Sequence, residues 1–291
     1  MNAIVVRIGN KLAEGGCAEI FEWDGDKIVK LAKPNTNESA LLSELHHSRV
    51  ARECNLPVPE PFGLIHLDGR PGIVFERVEG ISLLSRFVDE AALQSKDSPA
   101  IPSFDDYIGA SLTASMLFQV HQHSVPDMPN QREIIKYDIR RSSYLTEAEK
   151  TAVIAHLERL PVKHQLCHGD PNPGNIIVND SGAVFVDWND ASIGNPEADI
   201  ADYILMMRYA TLPTYFPKGA NIVFHAIRES SIRLFTAEYE RLSGIRYEDI
   251  EPWFIVIAAR KLAADARSED EIGSLTADIR RRLMKWADSH Y

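Results

Sequence analysis

Cysteine is scarce in this chain of 291 residues, which carries three, Cys17, Cys54 and Cys167. An odd number cannot all pair, and none sits at a metal-binding spacing, so neither a disulfide scaffold nor a zinc ribbon is expected. No run of 18 apolar residues occurs, so no transmembrane helix is expected. The opening MNAIVVRIGNKL lacks a charged segment followed by a long apolar one, so no signal peptide is expected there. Internal repeats and low-complexity tracts are missing. A basic surplus is missing too: the net charge of −11 argues against non-specific nucleic-acid binding. The acidic balance suits a cationic substrate drawn in by steering, or it simply keeps the protein soluble. These absences describe a cytoplasmic protein with reduced thiols and no nucleic-acid or membrane partner, of unknown oligomeric state. What remains is an ordinary globular composition, 45% hydrophobic and 25% charged, long enough for two lobes with ample core.

The chemistry is concentrated between His168 and Asp190, in HGDPNPGNIIVNDSGAVFVDWND. Asn175 follows Asp170, then come Ile176-Ile177-Val178, the turn-former Asn179-Asp180-Ser181-Gly182, a second apolar run to Val186, and Asp187-Trp188. This pattern predicts a β-hairpin with a polar site at each end, bringing Asp170, Asn175 and Asp187 together. Two carboxylates and a carboxamide form a hard-oxygen site suited to Mg²⁺, which keeps several waters and is shared with substrate phosphates.

An Asp followed after four residues by an Asn, with a second Asp on the next strand, is also the spacing of a protein-kinase catalytic loop and its metal ligands. Here Gly169 stands where that loop has Arg, and Trp188 where the metal motif has Phe. The resulting H-G-D-x-x-x-x-N…D-W form resembles the aminoglycoside phosphotransferase and choline kinase family. The resemblance implies an α+β, two-lobed, protein-kinase-like fold. Residues 1–77 would form a small lobe of antiparallel sheet and one helix that binds nucleotide. Residues 78–291 would form a large, mainly helical lobe with the catalytic loop, metal site and acceptor pocket. It further implies that Asp170 is the catalytic base, that Asn175 and Asp187 hold metal, and that the cofactors are ATP or GTP with Mg²⁺.

Read in order, the chain offers partners for that site. Strands are expected at Ile4–Ile8, Glu19–Trp23 and Lys27–Leu31, with a glycine pair, Gly15-Gly16, in the first turn. Such a pair lets backbone N–H groups approach phosphates closely, but no Gly-Lys-Ser/Thr follows, so this is not a Walker A loop. Lys30, on the following strand, matches the lysine that pairs with nucleotide phosphates. A helix over 37–54, capped by Asn37 or Thr36, must supply its glutamate. Glu44 is the choice and Glu38 the runner-up. Strands follow near Phe62–His66 and Gly72–Phe75. The backbone at Glu76 and Val78 falls where kinase-like folds meet the adenine edge, and the same run also reads as a simple linker between lobes.

Helices are expected over Ser82–Gln94, Phe104–His123, residues 146–159, Pro196–Ala210, Asn221–Ser243, Tyr247–Ala266 and Ser268–Asp288, with a loose loop over Ser95–Ser103. Thr146 and Glu149 form a capping box. His121 reads as a hydrogen-bonded core histidine and His168 as a structural one. Asp199 resembles the family's Asp at the start of a helix, which anchors backbone near the catalytic loop. Asp190 either caps a turn or touches the acceptor. Arg260 either reaches the cleft or pairs with Asp265 or Glu251.

The reading is therefore an ATP- and Mg²⁺-dependent kinase that moves the γ-phosphate to a hydroxyl of a small molecule, an aminoglycoside-like compound or another metabolite alcohol. A non-catalytic nucleotide-binding module is the alternative from another class, although base, metal ligands and lysine are all present. A protein kinase fits less well. Only 11 residues separate Asp187 from Asp199, which leaves no room for an activation segment, and no Ala-Pro-Glu anchor appears.

Overall fold

The computed structural model describes residues 8–94, 109–212, 216–263 and 267–288. The chain forms two compact units. One comprises Met1–Ile81 with Ile176–Ala191, the other Ser82–Asn175 with Ser192–Tyr291.

The first unit is an antiparallel sheet with one helix. Strands β1 (Ile8–Glu14), β2 (Ala18–Trp23), β3 (Lys27–Ala32), β4 (Pro61–Leu67) and β5 (Arg70–Glu76) lie in the order β1-β2-β3-β5-β4. Helix α1 spans Glu38–Glu53, and its N-cap is Asn37, whose side chain accepts from Ala40 N. The alternation of β3 sorts its side chains. Val29 and Leu31 pack with Val74 on one face, and Ala32 packs with Leu41, Leu45, Ile73 and Phe75 on the other. Lys30 lies between Ile28 and Ala32 on the helix-facing side. In α1, Leu41, Glu44, Leu45 and Ser48 follow the i, i+3, i+4, i+7 spacing of one buried stripe. Glu44 is thereby carried toward the face of the sheet that holds Lys30.

The first strand begins later than the sequence suggests. Apart from Ile8, the expected Ile4–Ile8 lies outside the described residues, and β1 runs through residues first read as the start of the glycine turn. Its side chains are all exposed and its pairing with β2 is irregular, so it has no hydrophobic alternation to read. The predicted hairpin is present. Ile176–Asn179 pairs with Gly182–Phe185 in register Ile176↔Phe185, turning through Asp180-Ser181. Phe185 N donates to Pro57 O at 3.0 Å, tying the hairpin to the rest of its unit.

The second unit is mainly helical. Its long helices are Leu83–Gln94, Ala110–His121, Gln131–Arg141, Glu147–Arg159, Pro196–Tyr209, Lys218–Ser243, Phe254–Lys261 and Glu269–Asp288. The capping box at Thr146 is formed with Glu149. Tyr203 stacks on Phe235 with ring centroids 3.9 Å apart, and Trp253, Phe254 and Ile257 are fully buried near the centre of the bundle. Residues 95–108, which include the expected loop and the start of the helix expected from Phe104, lie outside the described residues.

Three departures from the sequence reading have local causes. Gln131–Arg141 is a helix where none was expected. Asn130 caps it through Arg132 N and Glu133 N, and Ile135 and Ile139 anchor it. The helix expected over Tyr247–Ala266 is broken into Tyr247–Ile250, a 3₁₀ turn at Glu251–Trp253, and Phe254–Lys261. Pro252 has no N–H to give the ladder, so the chain tightens there. A short antiparallel ladder also pairs Gln165–Cys167 with Ser192–Gly194.

Candidate active site

The ladder sets the candidate catalytic loop. Cys167 lies opposite Ser192, and the chain turns at once into His168-Gly169-Asp170. On the partner strand the chain passes Asn195 into the helix Pro196–Tyr209, and Asp199 lies in its first turn. The Asp199 carboxylate accepts from His168 N at 2.6 Å and Gly169 N at 3.1 Å. It also meets His121 Nε2 at 3.2 Å, and His121 Nδ1 lies 2.7 Å from Tyr239 Oη. Burial and the nearby Asp199 charge hold the Tyr239 phenol above its ordinary range. The Asp199 carboxylate can only accept, so in a neutral imidazole the hydrogen lies on Nε2 and Nδ1 accepts from the Tyr239 hydroxyl. His121 and Asp199 are buried, hydrogen-bonded supports, as their sequence positions suggest. Cys167, beside them, is fully buried, and burial pushes its thiol up.

Gly169 has φ +86°, a left-handed conformation that glycine adopts without steric cost. This explains the glycine at a position where the protein-kinase motif has arginine. Beyond it, Asp170 Oδ2 accepts from Asn172 Nδ2 at 2.8 Å and from Asn175 Nδ2 at 3.0 Å. Asn175 Nδ2 also reaches Asp170 O at 3.1 Å. The structure thus brings Asp170 and Asn175 together, with the Asn175 amide nitrogen committed to Asp170. Asn172, which the sequence reading passed over, is a second holder of the Asp170 carboxylate. The signal for it was its place two residues along a proline-flanked loop.

In the other unit, Lys30 Nζ donates to Glu44 Oε1 at 2.6 Å and to Asp187 Oδ1 at 2.9 Å. Lys30 and Glu44 are nearly buried, whereas the Asp187 side chain is 43% exposed. Burial alone would depress the Lys30 ammonium, but the charges of Asp187 and Glu44 outweigh it and hold Lys30 above its ordinary range. Burial pushes the Glu44 carboxyl up to about 7 against the pull of Lys30, and Asp187 and Asp190 add to the rise. The Lys30 ammonium thus bridges the Glu44 and Asp187 carboxylates. Glu38, the runner-up, pairs with His66 at 2.9 Å. Asp187 has φ +64°, an uncommon backbone state for a residue with a side chain, and His47 Nδ1 meets the carbonyl of the following Trp188 at 2.9 Å.

The glycine turn is held from outside. Lys33 Nζ donates to Gly15 O at 2.7 Å and Asn35 Nδ2 to Gly16 O at 3.3 Å. A Cβ on Gly16 would meet nothing within 4 Å, and one on Gly15 only Ala18 O at 3.9 Å. Neither glycine has positive φ, so the fold itself does not require glycine at either position. Glu76 ends β5 with its N–H bonded to Glu60 O at 2.8 Å, and Val78 follows half-buried.

Contacts of Arg260 and Asp190 bear on two alternatives the sequence leaves open. Glu251 bonds Arg282, and Asp265 lies outside the described residues. Arg260 Nη1 donates to Gly169 O at 3.0 Å, with Asp138 and Asp202 beside the guanidinium. Asp190 sits in a turn, where its Oδ1 accepts from Asn189 Nδ2 at 3.2 Å. No helix among the described residues is long and apolar enough to cross a membrane.

Solved structures with the same fold include a thermostable mutant of the aminoglycoside phosphotransferase APH(4)-Ia. That match has TM-score 0.62 and 14% identity and covers 97% of this chain and 96% of that one. An amicoumacin kinase in complex with AMP-PNP, Ca²⁺ and Ami matches with TM-score 0.56 and 14% identity, over 95% of this chain and 87% of that one. Aminoglycoside phosphotransferase APH(3'')-Id from Streptomyces rimosus matches with TM-score 0.54 and 15% identity, over 87% and 92%. No curated protein matches significantly. These likenesses establish a protein-kinase-like α+β fold. The model of the phosphotransferase enzyme family matches residues 20–221, more than half of the sequence, and the chain belongs to that family.

Proposed function

We propose that this protein transfers the γ-phosphate of ATP or GTP to a hydroxyl of a small molecule, with Mg²⁺ as the metal. The observation that carries the reading is the Lys30 ammonium fixed between the buried Glu44 and the half-exposed Asp187. Glu44 holds Lys30 in one place, so the lysine is preorganised to meet phosphate oxygens. The open space at Gly15 and Gly16 supports the same reading, because close approach of phosphates accounts for glycines that the fold does not need.

The donor types of Asn175 and Asp187, a carboxamide oxygen and a carboxylate, suit a hard divalent cation. Asp187 offers a partly exposed carboxylate, and Asn175, whose amide nitrogen is taken by Asp170, keeps its carbonyl oxygen as a donor. When bound, Mg²⁺ would be held by Asn175 and Asp187 and would neutralise charge on the phosphates. Asn172 and Asn175 occupy Oδ2 of Asp170 and so orient the carboxylate. Asp170 then takes the hydroxyl proton as the acceptor oxygen bonds to the γ-phosphorus and the bond to the β–γ bridging oxygen breaks. Glu76 and Val78 backbone groups would meet the base of the nucleotide.

The amicoumacin and aminoglycoside complexes of similarly folded proteins support a polyhydroxylated or amino-substituted acceptor. A coupled ATPase screen with Mg²⁺ over aminoglycosides, amino sugars and hydroxylated metabolites tests the reading. The expected result is acceptor-stimulated turnover that Asp170→Asn removes. Binding of Mg·ATP with no phosphorylated product across the panel would favour a nucleotide-binding module instead.

A further inference from the structure

The peptide that joins Gly169 to Asp170 is fixed at both ends. Its carbonyl, Gly169 O, accepts from Arg260 Nη1 at 3.0 Å, and its N–H, on Asp170, donates to His168 Nδ1 at 3.3 Å. The preceding peptide is held by Asp199 through Gly169 N. Rotation about Gly169, the one residue here with wide backbone freedom, is therefore opposed on both sides. Arg260 is itself held. Its side chain is 14% exposed, Nε lies 3.6 Å from Asp138 Oδ2 and Nη1 lies 3.9 Å from Asp202 Oδ2. Asp202 Oδ1 in turn takes Lys261 Nζ at 2.6 Å. The planar guanidinium thus spans two acidic anchors and one backbone carbonyl, a fork that an ammonium cannot reproduce. Burial pushes the Asp138 carboxyl up against the pull of Arg260 and Arg141, as befits a carboxylate enclosed for its partner.

We infer that Arg260 is a positioning residue. It clamps the Gly169 carbonyl and thereby fixes the peptide that aims Asp170, and it does not contact the acceptor. The inference rests on the reading of Asp170 as the base. It implies that the helix Phe254–Lys261, far along the chain from the catalytic loop, belongs to the catalytic apparatus. A base misplaced by about 1 Å loses up to about a hundredfold in rate, so release of this clamp should appear in turnover and leave nucleotide affinity unchanged.

The test uses full-length protein with Arg260→Lys and Arg260→Ala. Amide exchange at Asp170 is followed by NMR, Mg·ATP affinity by calorimetry, and Mg·ATP hydrolysis, with water as acceptor, by phosphate release. In Arg260→Ala, Asp170 amide exchange should rise at least about tenfold and hydrolysis fall at least about tenfold, with Mg·ATP affinity within about twofold of wild type. Methylguanidinium should restore part of the exchange protection and the rate, and methylammonium should not. If Arg260→Ala fails to fold, Arg260→Lys carries the test, with the same direction and a smaller effect. Unchanged Asp170 exchange in the folded variant would overturn the inference, as would equal rescue by both cations. A folded variant that loses exchange protection at Asp170 while hydrolysis stays at the wild-type rate would also overturn it. If Asp170→Asn retains full turnover while the exchange result stands, the base assignment fails and the clamp survives.

Discussion

Glu44→Gln isolates the electrostatics of the Lys30 cluster. Glu44 is buried, and its carboxyl is pushed up to about 7 from an ordinary value of 4.5. The folded chain therefore holds this proton more tightly than the unfolded chain. The stabilisation is complete below about pH 4.5 and is lost as pH rises through about 7. At about 1.4 kcal/mol per pH unit, the loss reaches about 3 kcal/mol by about pH 8. Glutamine has the same shape and no proton to lose, and Lys30 keeps Asp187 as a partner at 2.9 Å. The variant should be no more stable than wild type near pH 5 and should gain on it steadily toward pH 8. Urea unfolding at several pH values, followed by tryptophan emission, gives the difference directly, because groups common to both proteins cancel. Trp188, fully buried in the same unit, reports the relevant transition. Parallel stability curves from pH 5 to pH 8 would refute the argument and mean that Glu44 stays ionised throughout.

Asp170→Asn should bind Mg·ATP normally and transfer phosphate about 10²- to 10⁴-fold more slowly, and full turnover would remove Asp170 as base. Asp187→Ala should abolish divalent-dependent ATP turnover, and calorimetry showing unchanged Mg·ATP affinity with full activity would clear Asp187 of metal binding. Asp199→Ala strips the partner from two buried N–H groups, at roughly 1–3 kcal/mol each, and should lower the melting temperature measurably in calorimetry. Gly194→Ala would place a Cβ 2.3 Å from Gln131 Oε1 and 2.5 Å from its Cβ, so chemical denaturation should report a loss of about 1–3 kcal/mol, and a neutral result would mean that Gln131 moves freely.

The features legible in the sequence are those built from local periodicity. Period-two alternation around Lys30 and helical spacing around Glu44 put the two on facing surfaces, and the loop spacing put Asp170 beside Asn175. Illegible features depended on partners distant in the chain or on elements too short to show a period. The strands Gln165–Cys167 and Ser192–Gly194 have three residues each, too few for alternation to register. Gln131–Arg141 carries its apolar contacts on a narrow stripe within a highly charged segment, although the Asn130 cap was there to be read. Arg260 finds Asp138, Asp202 and Gly169 on three other segments, and nothing local distinguished them from Glu251.

The composition of the first unit bears on how the chain folds as it is made. Its hairpin, with Asp187, belongs to the body formed by the opening residues, yet 94 residues of the other unit, Ser82–Asn175, are synthesised in between. Pro57 O waits for Phe185 N, and the Lys30–Glu44 pair stays without its second carboxylate, until residue 187 has emerged from the ribosome. The sheet Ile8–Glu76 can form early from near-neighbour contacts, but its unit is completed only by long-range closure, the slow and entropically costly class of contact. A nascent chain stalled short of residue 187 therefore carries the lysine and its glutamate without the carboxylate that completes the cluster.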